Sequence, residues 1–179
     1  MKKSIYTIAG KRKGTFQIDV RRMSELDATY NELLDVIEVK VDESLLSSNW
    51  SSGRRYLERI INQINGTYQF GYYDACAVLC RRAMESLIVE VYISKGREIE
   101  IKNPDNKFKG LENLITKVTS DFGNNLGRNS LSIMNKIKEV GDTAAHDRVY
   151  MTTETDIDDI KIKYRKLIYE LLTLSGILK

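Results

Sequence analysis

Apolar residues recur at helical spacing along most of the chain. From Tyr72 to Ile93 one apolar arc includes Tyr72, Tyr73, Cys76, Cys80, Ala83, Met84, Leu87 and Val91. At about 100° per residue they cover roughly 120° of a helix, wide enough for a central one. A narrow polar line of Asp74, Arg81 and Glu85 runs against that arc, with Arg82 to one side. The same period predicts a helix from Ser24, with Asp27 completing a capping-box-like pair and Leu26, Tyr30, Leu33, Leu34 and Ile37 as its apolar face. Another helix is expected from about Arg54 to Asn65, carrying Tyr56, Ile60, Ile61 and Ile64, and one more carries Leu111, Leu114, Ile115 and Val118. The last starts near Thr153 and buries Ile157, Ile160, Tyr164, Leu167, Ile168, Leu171 and Leu174, until Gly176 ends it.

Only residues 4–20 read with the two-residue period of a strand pair, as Ile5–Ile8 and Thr15–Val20 around a turn at Gly10–Gly14. That turn is not a phosphate-binding loop, because it lacks the Gly-Lys-Ser/Thr ending and no long helix follows directly. The pattern predicts a mainly α fold of about five to six helices with a small N-terminal β-hairpin. The polar break Ser47–Gly53 divides it into residues 1–48 (hairpin and first helix) and residues 49–179 (helical bundle), with Trp50 as a packing anchor. Lys95–Lys109 is a loop around the only proline, Pro104, with a short strand at Glu98–Lys102.

The helix ending at His146, the only histidine, holds the candidate chemistry. Ile133, Ile137, Val140 and Ala144 share one side of it, and Asn135, Glu139, Asp142 and His146 form a polar stripe on the other. Gly141 and Ala145 lie between. A helical glycine costs about 1 kcal/mol against alanine, so close approach of another helix is expected there. His146 and Asp142 would sit beside that contact, as a place for chemistry or for a buried hydrogen bond. On the central helix Asp74 is expected to partner Arg81, and Arg81 to pair with Glu85 one turn on.

Composition narrows the classes. With 42% hydrophobic and 30% charged residues the chain reads as a soluble globular protein. No apolar run approaches the roughly 18 to 20 residues that span a bilayer, and the first apolar stretch, interrupted by Lys11-Arg12-Lys13, is too short for a secretory signal. A cytoplasmic protein with no membrane contact is expected. Cys76 and Cys80, one turn apart on an apolar arc, read as core packing rather than a disulfide. With one histidine and no further cysteine no zinc site is expected, and no cofactor. Residues 1–22 hold seven Lys or Arg against Asp19 alone, including Lys11, Arg12 and Lys13. This arm either meets phosphates or is a solvated hairpin that keeps an edge strand from aggregating. In the last helix acidic residues precede basic ones, which suits the helix dipole, so that charge pattern reads as structural.

Tyr68-Gln-Phe-Gly-Tyr-Tyr-Asp-Ala-Cys-Ala-Val-Leu-Cys-Arg-Arg-Ala-Met-Glu-Ser-Leu87, then Leu111-Glu-Asn-Leu-Ile115, then Ile137-Lys-Glu-Val-Gly-Asp-Thr-Ala-Ala-His146 resembles one family. It is the bacterial family called domain of unknown function 4145, which resembles a branch of the HEPN superfamily (higher eukaryote and prokaryote nucleotide-binding domains). The resemblance covers about residues 50–175. It implies an up-and-down helical bundle, often a homodimer, in prokaryotic defence or toxin–antitoxin systems, with RNA or a defence-system partner protein as its target. Many relatives in the superfamily are metal-independent ribonucleases that use Arg, four to six residues, then His. By that resemblance His146 would be the base and Asp142 the polar residue that follows the arginine; outside the family's motif, Arg81 or Arg82 of the central helix could supply the phosphate contact in space, with Glu85 beside them. Lys138, Lys11, Arg12 and Lys13 would bind nucleic acid. The arginine's own place holds Gly141. Three classes therefore stand: an active or degenerate ribonuclease, a non-catalytic RNA-associated or partner-binding module, and a structural dimerisation domain.

Overall fold

The computed structural model describes residues 2–7, 15–19, 44–51 and 54–178, the first two segments by backbone alone. The chain forms two compact units, Met1–Glu43 and Ser44–Lys179. In the first, β1 (Lys2–Thr7) and β2 (Thr15–Asp19) pair antiparallel, with an irregularity between Ser4 and Tyr6. The turn expected at Gly10–Gly14, its cations Lys11, Arg12 and Lys13, and the helix expected from Ser24 lie outside the described residues.

The second unit is helical: α1 (Arg55–Gln69), α2 (Tyr73–Ser94), α3 (Leu111–Phe122), α4 (Ser130–His146) and α5 (Glu154–Leu174). The chain turns from α1 into α2 at Gly71, whose φ of +74° is a conformation side chains avoid. α1 runs through Gly66, past the end its pattern suggests, because Tyr68 prolongs the apolar row of Ile60, Ile61 and Ile64 and is itself buried.

α2 is the hub, packed against α1, α3, α4 and α5. It buries Cys76, Ala77, Cys80, Ala83, Met84, Leu87, Ile88, Val91 and Tyr92. Both cysteines are free thiols in this core, and burial pushes the Cys80 thiol up. Tyr164 of α5 is fully buried and donates its hydroxyl to the Cys80 carbonyl at 3.0 Å, so the phenol is not left unsatisfied. Tyr72, expected in the apolar arc, is 66% exposed, because it precedes the first turn and leaves the helix axis.

The polar break holds a short 3-10 turn, Ser48–Ser51, and Trp50 packs its ring 5.9 Å from that of Tyr169. Just before it, Leu45 and Leu46 are buried in the same core. Asn65 fixes Leu46 by two bonds, one from the Leu46 N–H and one to its carbonyl, each 2.8 Å. Arg165 donates to the carbonyls of Leu45 and Ser44.

Glu98–Ile101 is a 3-10 turn rather than the expected strand; the described residues of this unit hold only an isolated bridge between Lys102 and Phe108. The reason is a bidentate pair from Arg97 to Glu100, at 2.6 and 2.8 Å. Residues three apart share a side in a 3-10 turn and oppose each other in a strand. Lys117, Asp121 and the Tyr92 hydroxyl complete this network. No described helix is long and apolar enough to cross a membrane.

Hydrogen bonds from Arg97 and Lys117 hold the Glu100 carboxyl down from its ordinary 4.5 to about 2. A depressed carboxyl contributes stability above its unfolded pKa and loses it as pH falls through the folded one. Between about pH 4.5 and 2 the thermal midpoint should therefore fall, and Glu100→Gln should flatten that part of the profile. Superimposable profiles for wild type and variant would refute the network's contribution.

Candidate functional site

α4 buries Ser130, Ile133, Met134, Ile137 and Gly141, which aim one face at the core. Asn135, Glu139 and His146 point outward and are exposed, while Lys138 and Asp142 lie half-buried on one flank. That flank meets α2. A Cβ built on Gly141 would stand 2.7 Å from Arg81 Cβ, 2.8 Å from Arg81 Cδ and 3.2 Å from the Ala77 carbonyl oxygen. No side chain fits there, so glycine lets the two helices approach and lets the stem of Arg81 lie across α4. This is the close contact expected at Gly141, while Ala145 is exposed.

Having crossed Gly141, Arg81 places Nε 2.8 Å from Asp142 Oδ1. Lys138 holds the other oxygen, Nζ to Oδ2 at 3.0 Å. Glu85 stands farther off, 4.0 Å from the Arg81 guanidinium. The Arg81 Nε–H is buried but poorly aligned with the carboxylate, so packing and charge hold the guanidinium more than a directed hydrogen bond does. Two cations and two carboxylates cancel, and Arg81 and Asp142 remain 31% and 34% exposed. The cluster is a neutral clamp between α2 and α4.

His146 stands outside that clamp. It is exposed at the end of α4, and among the described residues its ring makes no hydrogen bond or ion pair, to Asp142 or to α2. Beyond it, Asp147 Oδ1 accepts the N–H groups of Val149 and Tyr150 at 2.8 and 2.9 Å, which lowers its pKa. Asp74 accepts the Thr152 N–H at 2.8 Å rather than partnering Arg81. Seven residues of helix separate Asp74 from Arg81 by about 10 Å of rise, too far for a direct pair.

Arg82, one residue on, is turned by about 100°. It is exposed and lines a different groove with Tyr56, Glu85, Val89 and Phe108. The structure thus gathers Arg81, Glu85, Lys138 and Asp142, and leaves Arg82 and His146 apart from them. Among the described residues no three His, Cys, Asp or Glu side chains converge as metal ligands do. A second groove, of about 410 Å³, lies between the start of α4 and the middle of α5, with Arg128, Lys163 and Lys166 on its walls. In the sequence Lys163 and Lys166 read as part of a structural charge pattern, not as a binding patch. The available signal was Arg128 in a Gly-Arg-Asn turn, which reads as ordinary loop until α5 is placed beside it.

Residues 62–174 match the family model of the Domain of unknown function (DUF4145). The chain belongs to this family. The matched span runs from within α1 to the last residue of α5, so it takes in the clamp, His146 and the second groove. No curated protein and no solved structure matches this DUF4145 chain significantly.

Gly141→Leu should lower stability by about 1–3 kcal/mol through overpacking against Arg81 and Ala77. Gly141→Ala should also lower it, although alanine is the better helix former by about 1 kcal/mol. Denaturant midpoints read both, and a raised midpoint for the alanine variant would show that α2 and α4 part without cost.

Proposed function

We propose that this DUF4145 chain is a HEPN-like helical module of a prokaryotic defence or toxin–antitoxin system that associates with RNA without cutting it. The HEPN assignment rests on the resemblance of Tyr68–Leu87, Leu111–Ile115 and Ile137–His146. The observation that carries the non-catalytic reading is the engagement of Arg81 by Asp142 across Gly141. Metal-independent cleavage needs a base for the 2′-hydroxyl and a cation for the charge growing on the phosphate. Here the neighbouring helix's arginine is neutralised, and His146 has no group among the described residues to orient its ring. Association with RNA is supported instead by the basic residues of positions 1–22 and by the α4–α5 groove.

Wild type and His146→Ala, incubated with single-stranded RNA in the presence of chelator, should both give background cleavage. Their melting curves should coincide, because the exposed ring has no bond to lose. A 2′,3′-cyclic phosphate product that disappears in His146→Ala would restore the ribonuclease reading, and with it a general-base contribution of about 10²- to 10⁴-fold.

A second reading, a homodimerisation or protein-interaction module, is favoured by apolar side chains exposed at the His146 end. Phe70, Tyr72, Val149 and Met151 are 70%, 66%, 90% and 74% exposed. Light scattering at micromolar concentration should give a dimer mass, and Val149→Asp with Met151→Asp should return the monomer. A monomer mass for wild type would remove any site built from two chains.

A further inference from the structure

We propose that the groove between α4 and α5 is where this chain takes the backbone of single-stranded RNA, away from His146 and at the opposite end of α4. This rests on the RNA-associated reading above and gives it a place. The walls include Gly127, Arg128, Ser130, Lys163, Lys166 and Glu170. The cations of α5 divide into two sets. Lys161 donates to the Tyr68 hydroxyl at 3.0 Å and stands 4.6 Å over its ring, and Arg165 is bound to backbone carbonyls. Those two are structural. Lys163 and Lys166 face the groove, where Arg128 joins them, and all three are exposed. Among the described residues Arg128 and Lys163 have no ion-pair partner, and Lys166 comes only within 3.9 Å of Glu170.

Glu170, the one carboxylate in the lining, offsets one of these three charges and leaves the groove a net +2. Its side chain is 16% exposed, and its Oε2 accepts from the Gly127 N–H at 3.1 Å and the Ser130 hydroxyl at 2.8 Å. It braces the turn. A Cβ at Gly127 would meet Glu170 Oε1 at 2.8 Å, so glycine is what admits the brace. The groove is left with three outward cations around an inward-tied acid. Lys163 and Lys166 are three residues apart on a helix, which puts their Cβ atoms about 5–6 Å apart and lets both side chains reach one phosphate.

A neighbouring concavity distinguishes a nucleic-acid strand from a bare anion. It shares Glu170 with the groove and carries Lys95, Asn125 and the half-exposed ring of Tyr169. A cationic track beside an aromatic face is the arrangement by which single strands are held, phosphates on the cations and a base on the ring. Such contacts read no sequence, so binding should be tolerant of base identity.

The test is fluorescence anisotropy of a labelled oligouridine with the full chain, over a salt series. The triple variant Arg128→Ala, Lys163→Ala, Lys166→Ala should weaken binding by about tenfold or more and reduce the log–log salt slope by about 2. Tyr169→Leu, which keeps an apolar contact for Trp50, should weaken binding by about fivefold or more with the slope unchanged. Arg55→Ala with Arg59→Ala, two exposed cations on α1, should have little effect. Melting curves confirm folding of each variant. RNA binding that survives the triple variant, or that falls equally in the α1 control, overturns the groove and leaves the RNA-associated reading standing. No binding by wild type at low salt overturns both.

Discussion

The contact between Gly141 and Arg81 is the constraint on which the rest of this unit depends. α2 and α4 approach so closely that a single added carbon would overlap the arginine stem. Because the stem occupies that space, the guanidinium must emerge beside Asp142, and Lys138, one turn earlier, closes the carboxylate from the other side. The rotation of α4 follows from this. With residues 137 and 141 inward and 138 and 142 against α2, residue 146 has to face outward. The exposure of His146 is thus a consequence of packing two helices through a glycine.

The charges of the clamp add little to stability on their own. Pairs about one-third exposed typically contribute 0.2–1 kcal/mol at most. The weight lies in the core, where α2 is buried over a wide arc by four other helices and Tyr164 and Tyr92 are enclosed with their hydroxyls bonded. The polar contacts do a different job, which is to choose among ways of packing that core. Asn65 and Arg165 bind backbone of residues 44–46, Glu170 binds the turn before α4, and Asp74 binds the turn before α5. Each fixes a connection whose apolar content alone would leave it loose.

This division explains what could be read from the sequence. The helices of the described unit were legible because burial imposes a 3.6-residue period, and Gly141 was legible because a helical glycine needs a compensating contact. The pairings were not. Arg81 had Glu85 as a local partner at helical spacing, yet it meets Asp142, since the position of α4 decides the matter and no local pattern encodes it. Asp74 and Thr152 are the same case across a longer stretch of chain. The turn at Glu98–Ile101 was misread because its alternating Glu and Ile mimic a strand, while the pairing that decides it comes from Arg97 just before. In the candidate site, the residue types and the helix were legible and their association was not.

The same geometry bears on chemistry. A catalytic arginine has to present an uncompensated guanidinium, held by packing but not by a carboxylate, since the phosphate is to be its partner. A helix that carries Gly141 with Asp142 immediately after it does the reverse. It admits an arginine from the next helix and neutralises it on arrival. Lys138 deepens this, because it brings positive charge to Asp142 instead of to solvent. Meanwhile Arg128, Lys163 and Lys166, on the walls of the α4–α5 groove, outnumber its single carboxylate, Glu170, by three to one. Electrostatic attraction for a polyanion depends on charge that the fold has not already satisfied. By that criterion the start of α4 is the more competent end of the helix, although its only histidine is at the other.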